Sequence, residues 1–374
     1  MDTNKKIKIL QTIRQGKIGG GESHVLDLVQ ELNKDHYESV VLSFTYGPMV
    51  DKMQSMGIKT YVIETERPFD FTKWSGVKAI LEQENIDVVH AHGTRANSNT
   101  YKSAMRLGIP VVYTVHGWSF HPDQGFLLRN LRILGEKHLV KNADLTICVS
   151  ENNLKDARNE FPMDRAKVIR YGINLEKFNP YNRYDNVRQE LGIEADDILV
   201  GYVVRMTKQK DPLTLVKAIA LIPGDVNIKF LFVGDGELKL DAIKLAKELG
   251  IYSRIIFLDF RQDVPNILNA VDIYCLPSLW EGLPIGMLEA MAMHKAVIVT
   301  AIDGAKEVIK SMENGILVPV QNPEKLAEAL VLLSTDEQLR KRLGGNAGKT
   351  ILADFNVAKM TRKIEEVYNV ITRK

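Results

Sequence analysis

The chain alternates short apolar runs with longer stretches whose apolar positions recur at helical spacing. The runs are rich in Val and Ile: IKILQTI (7–13), SVVLSF (39–44), KTYVIE (59–64), DVVHAH (87–92), VVYTVH (111–116), LTICVS (145–150) and KVIRYG (167–172). Runs that are apolar on both faces predict strands of a covered parallel sheet. Helical periodicity fills the gaps, over 22–34, 47–56, 73–84, 95–107, 123–141 and 151–159. Strand and helix in alternation predict an α/β domain with helices on both sides of its sheet.

The rhythm restarts after about residue 196, with ILVGYVV, IKFLFVG, RIIFLDF, DIYCLP, AVIVTA and GILVPV. The polar, turn-rich stretch between the halves places a linker near 173–195, and a last helix follows at about 356–372. The pattern predicts two doubly wound α/β domains in tandem, about 1–180 and 181–355, facing across a cleft. Such sheets take ligands at the carboxyl ends of their strands, so the loops after strands should carry the chemistry.

A length of 374 residues agrees with two domains. Lys plus Arg number 49 against 47 Asp plus Glu, a net charge of +2, which argues against a nucleic-acid partner held by bulk charge. The two cysteines, Cys148 and Cys275, each sit in a strand-like run, so a disulfide framework is not expected and a reducing compartment is. No apolar run reaches ~18 residues, and no long apolar segment follows the first lysines, so a cytoplasmic protein without a membrane span or secretory signal is expected.

The first strand runs into Arg14-Gln15-Gly16-Lys17-Ile18-Gly19-Gly20-Gly21-Glu22-Ser23. Glycines before a helix let backbone N–H groups approach a phosphate or a sugar; a plain glycine turn is the alternative. The loop is not G-x-G-x-x-G, and no acid ends the next strand, which weighs against a dinucleotide-binding dehydrogenase. His90, His92 and His116 end strands. His90 and His92 share a strand face and could pair on a metal, but no carboxylate or cysteine cluster accompanies them, and structural or cleft-lining histidines are the alternative. His116, before Gly117 and Trp118, is the better ligand candidate.

In the second half, Arg205 ends a strand and Lys210 stands shortly before a helix, as fixed cations for a diphosphate leaving group would. The next strand ends in Val233-Gly234-Asp235-Gly236-Glu237. The densest segment is Pro277-Ser-Leu-Trp-Glu281-Gly-Leu-Pro284-Ile-Gly286-Met287-Leu288-Glu289. Pro284 fits a first helical turn, and the helix start at Gly286 offers N–H groups to an anion. Glu281 and Glu289 would repel phosphate, so both should meet hydroxyls, one on a sugar and one on a ribose. A capping acid and a solvated helix glutamate are the bland alternative. Residues 126–141 interleave Arg129, Arg132, Lys137, His138 and Lys141 with leucines. This helix could lie on an anionic membrane or be a core-facing helix with a solvated basic face.

These residues resemble the retaining GT-B glycosyltransferases of glycosyltransferase family 4, over nearly the whole chain. The resemblance rests on the glycine loop with Glu22, His116, ADLTICVSE, VIRYGINLEKF, Arg205 with Lys210, VGDGE, and Glu281 with Glu289. AVIVTAIDGAKEVI and NGILVPVQNPEKLAEAL complete it. It implies that the second domain binds a nucleotide sugar, with Arg205 and Lys210 on the diphosphate, Glu281 on the transferred sugar and Gly286, Met287, Leu288 and Glu289 around the nucleotide. Gly20 and Gly21 would lie near the diphosphate or acceptor, and His116 by the reacting sugar. The resemblance further implies a UDP-hexose donor, a lipid-linked or saccharide acceptor, no metal or other cofactor, and a last helix (356–374) packed back on the first domain. Surface polysaccharide or glycolipid synthesis is the implied setting, at the inner membrane face if 126–141 docks there. A sugar-nucleotide epimerase or hydrolase of the same fold and an exported sugar-binding protein are the competing readings. The chain departs from the family pattern at Val204, Asp211 and Pro284, where glycines are usual.

Overall fold

A computed structural model describes residues 5–16, 19–121 and 124–372. Lys17 and Ile18 of the glycine loop, residue 123 of the expected fifth helix and the last two residues of the chain lie outside the described residues. The chain divides into two units, residues 1–172 with 357–374, and residues 173–356.

In the first unit, each apolar run becomes a strand: β1 (Ile7–Ile13), β2 (Tyr37–Ser43), β3 (Lys59–Val62), β4 (Val88–His92), β5 (Val111–Val115), β6 (Leu145–Cys148) and β7 (Ala166–Val168). All pair in parallel, in the order β3-β2-β1-β4-β5-β6-β7. The connecting helices are α1 (Gly20–Glu31), α2 (Pro48–Ser55), α3 (Trp74–Gln83), α4 (Thr94–Arg106), α5 (Phe126–Asn142) and α6 (Glu151–Arg158). Helix α1 starts earlier than its apolar spacing indicates, because the Gly19 carbonyl accepts from Ser23 N–H at 2.8 Å and draws Gly20 and Gly21 into the first turn.

The second unit repeats the plan. Its elements are α7 (Val187–Glu190), β8 (Ile198–Val203), α8 (Pro212–Leu221), β9 (Ile228–Val233), α9 (Lys239–Glu248), β10 (Ile255–Leu258), α10 (Val264–Ala270), β11 (Ile273–Leu276), α11 (Ile285–Ala292), β12 (Ala296–Thr300), α12 (Asp303–Lys306), β13 (Ile316–Val318), α13 (Pro323–Thr335) and α14 (Glu337–Asp354). The strand order is β10-β9-β8-β11-β12-β13, all parallel. Its core joins the sheet's apolar face to α8 and α13 through Val200, Tyr202, Phe230, Leu215, Ile219 and Leu330.

The stretch expected as a linker is anchored by a few buried side chains. Ile173, Phe178, Val187 and Ile193 are buried, and Ile173 N–H donates to the Phe355 carbonyl at 2.8 Å. The crossing between units falls at 172/173, and a second one at 356/357 returns the chain to the first unit. The returning helix α15 (Val357–Thr372) is apolar on one face, through Val357, Met360, Ile364, Val367, Tyr368 and Ile371. These side chains pack with Ile9, Leu28, Val88 and Val112. Each buried apolar side chain contributes about 1.5–3 kcal/mol of transfer free energy at most, so the helix is an integral wall of the first unit.

Candidate functional site

In both sheets the strand order reverses beside the first strand of the unit, between β1 and β4 and between β8 and β11. Connections leave in opposite directions there, opening a crevice at the carboxyl ends. The candidate residues fall at these two places, one group in each unit.

In the second unit, Arg205 follows β8, Lys210 ends a 3-10 turn over Lys208–Lys210, and Glu281 lies on the loop after β11. The Lys210 ammonium pairs with the Glu281 carboxylate, which also accepts from Ser278 Oγ at 2.8 Å and Gln209 Nε2 at 3.1 Å. Gln209 ties the loop down further, donating to the Trp280 carbonyl at 2.8 Å and accepting from Leu279 N–H at 2.8 Å. Buried Tyr202 donates to the Lys210 carbonyl at 2.9 Å. Arg205 is exposed and makes no ion pair or hydrogen bond among the described residues. One cation is thus clamped to a carboxylate and the other is free to meet an anion.

Two departures from the family pattern have local explanations. Asp211 has φ +47°, a left-handed conformation that glycine reaches freely and Asp tolerates. Its carboxylate recovers the cost by capping α8, accepting from Thr214 N–H at 3.2 Å and Thr214 Oγ1 at 2.6 Å. Pro284 is the N-cap of α11, one position before the expected first turn, and its carbonyl accepts from Leu288 N–H at 3.2 Å. The side chains of Met287 and Leu288 are fully buried. Leu288 therefore has no group left for a ligand, whereas the first-turn amides of Ile285, Gly286 and Met287 have no partner among the described residues. Gly286 is required by packing, since a Cβ there would stand 2.6 Å from the Tyr274 hydroxyl. Glu289 is half-buried on α11 and is engaged.

The glycines of VGDGE serve the same site from behind. A Cβ on Gly234 would approach the Val204 carbonyl to 2.1 Å, and one on Gly236 the Met206 carbonyl to 2.2 Å. Both glycines have positive φ. They let the turn after β9 press against the backbone on either side of Arg205.

In the first unit, the glycine loop follows β1. Glu22 is buried at the start of α1, its carboxylate near its own N–H and 3.6 Å from the Arg14 guanidinium. Burial raises its pKa, against the opposing pull of Arg14. An acid already occupies this helix start, so the Gly20–Gly21 turn suits hydroxyls better than phosphate.

His116, at the end of β5, is half-buried. Its Nδ1 lies 2.6 Å from the Tyr171 hydroxyl and its Nε2 lies 3.3 Å from His92 Nδ1. A Cβ on Gly21 would touch its ring at 3.3 Å. His92 Nε2 meets Gln11 Oε1 at 2.9 Å. His90 is fully buried between the Tyr368 hydroxyl (2.6 Å) and Thr114 Oγ1 (2.7 Å). His24 packs its ring on His92, His116 and Tyr171, at centroid distances of 5.6, 5.4 and 5.1 Å, and neither of its nitrogens has a partner. Burial lowers the pKa of all four, that of His24 to about 4, so the imidazoles are neutral at physiological pH. No group of three or more His, Cys, Asp or Glu among the described residues could hold a metal.

Helix α5 presents an unexpected face. Ile133, Glu136, Leu139 and Val140 point inward, while Phe126, Leu127, Leu131 and Leu134 are more than 60% exposed. Of the basic residues, Arg129 pairs with Glu160 and Arg132 donates to the Ser119 carbonyl at 2.7 Å, leaving Lys137 and Lys141 toward solvent. The outer face of α5 is thus apolar first and basic second, which departs from a core-facing helix with a solvated basic face. No helix among the described residues is long and apolar enough to cross a membrane.

The family described as Glycosyltransferase Family 4 matches residues 18–177, and that described as Glycosyl transferases group 1 matches residues 184–350. An uncharacterized glycosyltransferase of Methanocaldococcus jannaschii is 30% identical over 79% of this chain and 78% of its own length. The chain belongs to glycosyltransferase family 4. It is similar to the Escherichia coli UDP-Gal:alpha-D-GlcNAc-diphosphoundecaprenol alpha-1,3-galactosyltransferase, at 28% identity over 98% of this chain and 97% of that one. Its fold matches Anabaena HepE, solved in complex with UDP and glucose, with a TM-score of 0.86 over 97% of this chain and 99% of that one at 23% identity. The fold is therefore GT-B and the protein is a glycosyltransferase. The dehydrogenase, epimerase and sugar-binding readings give way to it.

Arg205, Lys210, Glu281 and His116 all stand on segments that follow strands, as their sequence context indicates. Not expected from sequence are Gln209 and Ser278, which hold Glu281, His24 and Tyr171, which lie against His116, and Gln11 and Tyr368, which stand behind His92. For Gln11 a signal existed, because an amide inside an apolar strand must find partners when buried. For Tyr368 the resemblance places the last helix on the first domain, but nothing in the sequence singles out the side chain that reaches Gln11.

Proposed function

We propose that this glycosyltransferase moves a hexose-type sugar from UDP to a hydroxyl of a lipid-linked saccharide, with retention of anomeric configuration. The observation that carries the donor half is the Lys210–Glu281 pair beside free Arg205 and the open first-turn amides of α11. When the sugar–oxygen bond breaks, negative charge grows on the diphosphate, and fixed cations and amides stabilise it without reorganising. Glu281 meets a hydroxyl of the transferred sugar and Glu289 the ribose. The leaving diphosphate needs no metal where these groups neutralise it. His116, with Gly20 and Gly21, suits sugar hydroxyls. No protein group is assigned as base or nucleophile. UDP is favoured by the names of the Escherichia coli relative and of the HepE complex.

The decisive experiment is thermal unfolding against UDP, GDP, ADP and their sugars. A ligand at a hundredfold over its Kd stabilises by about 2.7 kcal/mol, so the donor separates from its analogues. Equal shifts for all nucleotides would sink the UDP assignment, and NMR of the product's anomeric centre decides retention. Glu289→Ala is expected to weaken UDP roughly tenfold to a hundredfold by calorimetry, the cost of a charged hydrogen bond. Unchanged affinity would remove Glu289 from the ribose.

The lipid-linked acceptor is supported by α5. Large exposed apolar side chains in one continuous face mark a docking surface, and Lys137 and Lys141 suit an anionic bilayer. The protein is expected to co-sediment with phosphatidylglycerol vesicles at low salt. The Leu131→Ser, Leu134→Ser double variant should stay in the supernatant; equal sedimentation of both would remove α5 from membrane contact.

A further inference from the structure

The buried polar chain beneath His116 has a direction. We infer that Gln11, His92 and Tyr368 are positioning residues that fix which nitrogen of His116 carries its proton, and that this sets what His116 offers to a sugar. The inference rests on the reading that His116 faces the reacting sugar.

A neutral imidazole has one N–H and one bare nitrogen, so each hydrogen bond at one nitrogen dictates the other. Gln11 turns its amide oxygen to His92 Nε2 at 2.9 Å and its amide nitrogen to the Tyr368 hydroxyl at 3.1 Å. An amide oxygen only accepts, so His92 Nε2 carries the proton and His92 Nδ1 is bare. His116 Nε2, 3.3 Å from that bare nitrogen, must then donate. His116 Nδ1 is left bare and accepts from the Tyr171 hydroxyl at 2.6 Å. In the other direction, the Tyr368 oxygen accepts from Gln11 and gives its proton to His90 Nδ1 at 2.6 Å. His90 Nε2 donates in turn to Thr114 Oγ1 at 2.7 Å. Every link has one proton and none has two.

The opposite sense requires the Gln11 amide to turn over and every proton to switch with it. A partial switch sets donor against donor, or acceptor against acceptor, in an interior where His90, His92, Gln11 and Tyr368 are at most 1% exposed. Unpaired polar groups are costly there, so the chain switches as a whole or not at all. His24 has no hydrogen bond through either nitrogen and does not perturb the order. The amide of Gln11, held by Tyr368 from the last helix, therefore sets the tautomer of a ring at the end of a different strand.

The consequence at the site is specific. The longest link in the chain is the one at His116 Nε2, and of the three histidines in the chain His116 alone is not fully buried. A sugar oxygen arriving there shares the Nε2 N–H with His92 Nδ1, which stays paired. His116 thus acts as a hydrogen-bond donor to a sugar oxygen, and the reverse tautomer would offer a lone pair instead.

The test uses the full chain, 15N-labelled, with ring nitrogens read by long-range 1H–15N correlation. The parent should show His116 protonated on Nε2 alone. Tyr368→Phe keeps the ring and removes one oxygen, so Gln11 loses its acceptor and His90 Nδ1 its donor. The His116 ring signals should then move toward a tautomer mixture, with kcat lower by roughly tenfold, as for lost orienting partners elsewhere. KM for the nucleotide sugar should stay within about twofold, a split that general loosening of the fold would not give. Gln11→Met, similar in shape, should reproduce the pattern if Tyr368→Phe folds poorly. A parent ring protonated on Nδ1, ring signals unchanged in both variants, or parent kcat despite a shifted ring would each overturn the inference. His116→Ala tests the underlying site reading separately: parent-like turnover there removes the role of His116 at the sugar, while the ring signals of Tyr368→Phe still judge the relay.

Discussion

Lys210→Ala is expected to lower kcat by roughly a hundredfold to a thousandfold, the usual cost of removing one preorganised group from a developing charge. The leaving diphosphate gains negative charge as the sugar–oxygen bond breaks, so an ammonium at this place is worth more in the transition state than in the bound donor. The loss should therefore appear in kcat, with KM for the donor changing much less. The local structure should survive, because the backbone of residue 210 is held independently. Its carbonyl accepts from the Tyr202 hydroxyl at 2.9 Å and its N–H donates to the Thr207 carbonyl at 3.0 Å. Glu281 also keeps two donors, Ser278 Oγ and Gln209 Nε2, so its loop stays in place without the lysine. Steady-state kinetics beside thermal unfolding read both statements. Lys210→Arg keeps the charge with a different shape and should recover part of the rate. Turnover of Lys210→Ala near that of the parent would remove this lysine from the chemistry.

The sheet plan was legible in the chain because burial on both faces leaves a local trace. Each Val- and Ile-rich run became a strand, and each amphipathic gap became a helix with ends displaced by a few residues. The displacements have local causes: Gly19 caps α1 before its apolar stripe begins, and Pro284 stands outside α11 as its cap. The segment 173–195 reads as a linker because Ile173, Phe178, Val187 and Ile193, the residues it buries, are spaced irregularly. Helix α5 misled in another way. Its leucines have helical spacing, but the sequence does not say which face meets the protein, and buried Glu136 turns the leucine-rich side outward.

For the site, single residues were legible and their partners were not. Arg205 and Lys210 stand where a strand ends and a helix begins, which sequence order alone locates. That Lys210 would pair with Glu281, 71 positions on, depends on β8 and β11 being neighbours in the sheet. The chain from Thr114 through His90, Tyr368, Gln11 and His92 to His116 is more remote still, since Gln11 and Tyr368 are 357 positions apart. Such a chain follows from tertiary packing, and only its buried amide hints at it beforehand.

Glu136 supplies the largest expected effect on stability. It is fully buried on α5 and accepts from Thr94 Oγ1 at 2.7 Å, Tyr113 OH at 2.9 Å and Ser119 N–H at 3.3 Å. It thereby ties α4, β5 and the loop after His116 to one carboxyl group. Glu136→Ala strands three donors in a dry cavity and should cost about 3–5 kcal/mol, read as a lower urea midpoint. Glu136→Gln keeps the shape and one acceptor oxygen, and should cost about 1 kcal/mol or less near pH 5. The two should diverge further with pH. Burial raises the Glu136 pKa above 4.5 despite its three donors. The folded state then keeps the proton to a higher pH than the unfolded chain, so this group's contribution is complete below 4.5 and declines as pH rises through the folded value. Glutamine carries no such proton. Relative to the parent, Glu136→Gln should gain stability as pH rises above 4.5, while Glu136→Ala stays well below both. A parent-minus-Gln difference that is flat with pH would show that this carboxyl ionises in the fold as it does in the unfolded chain.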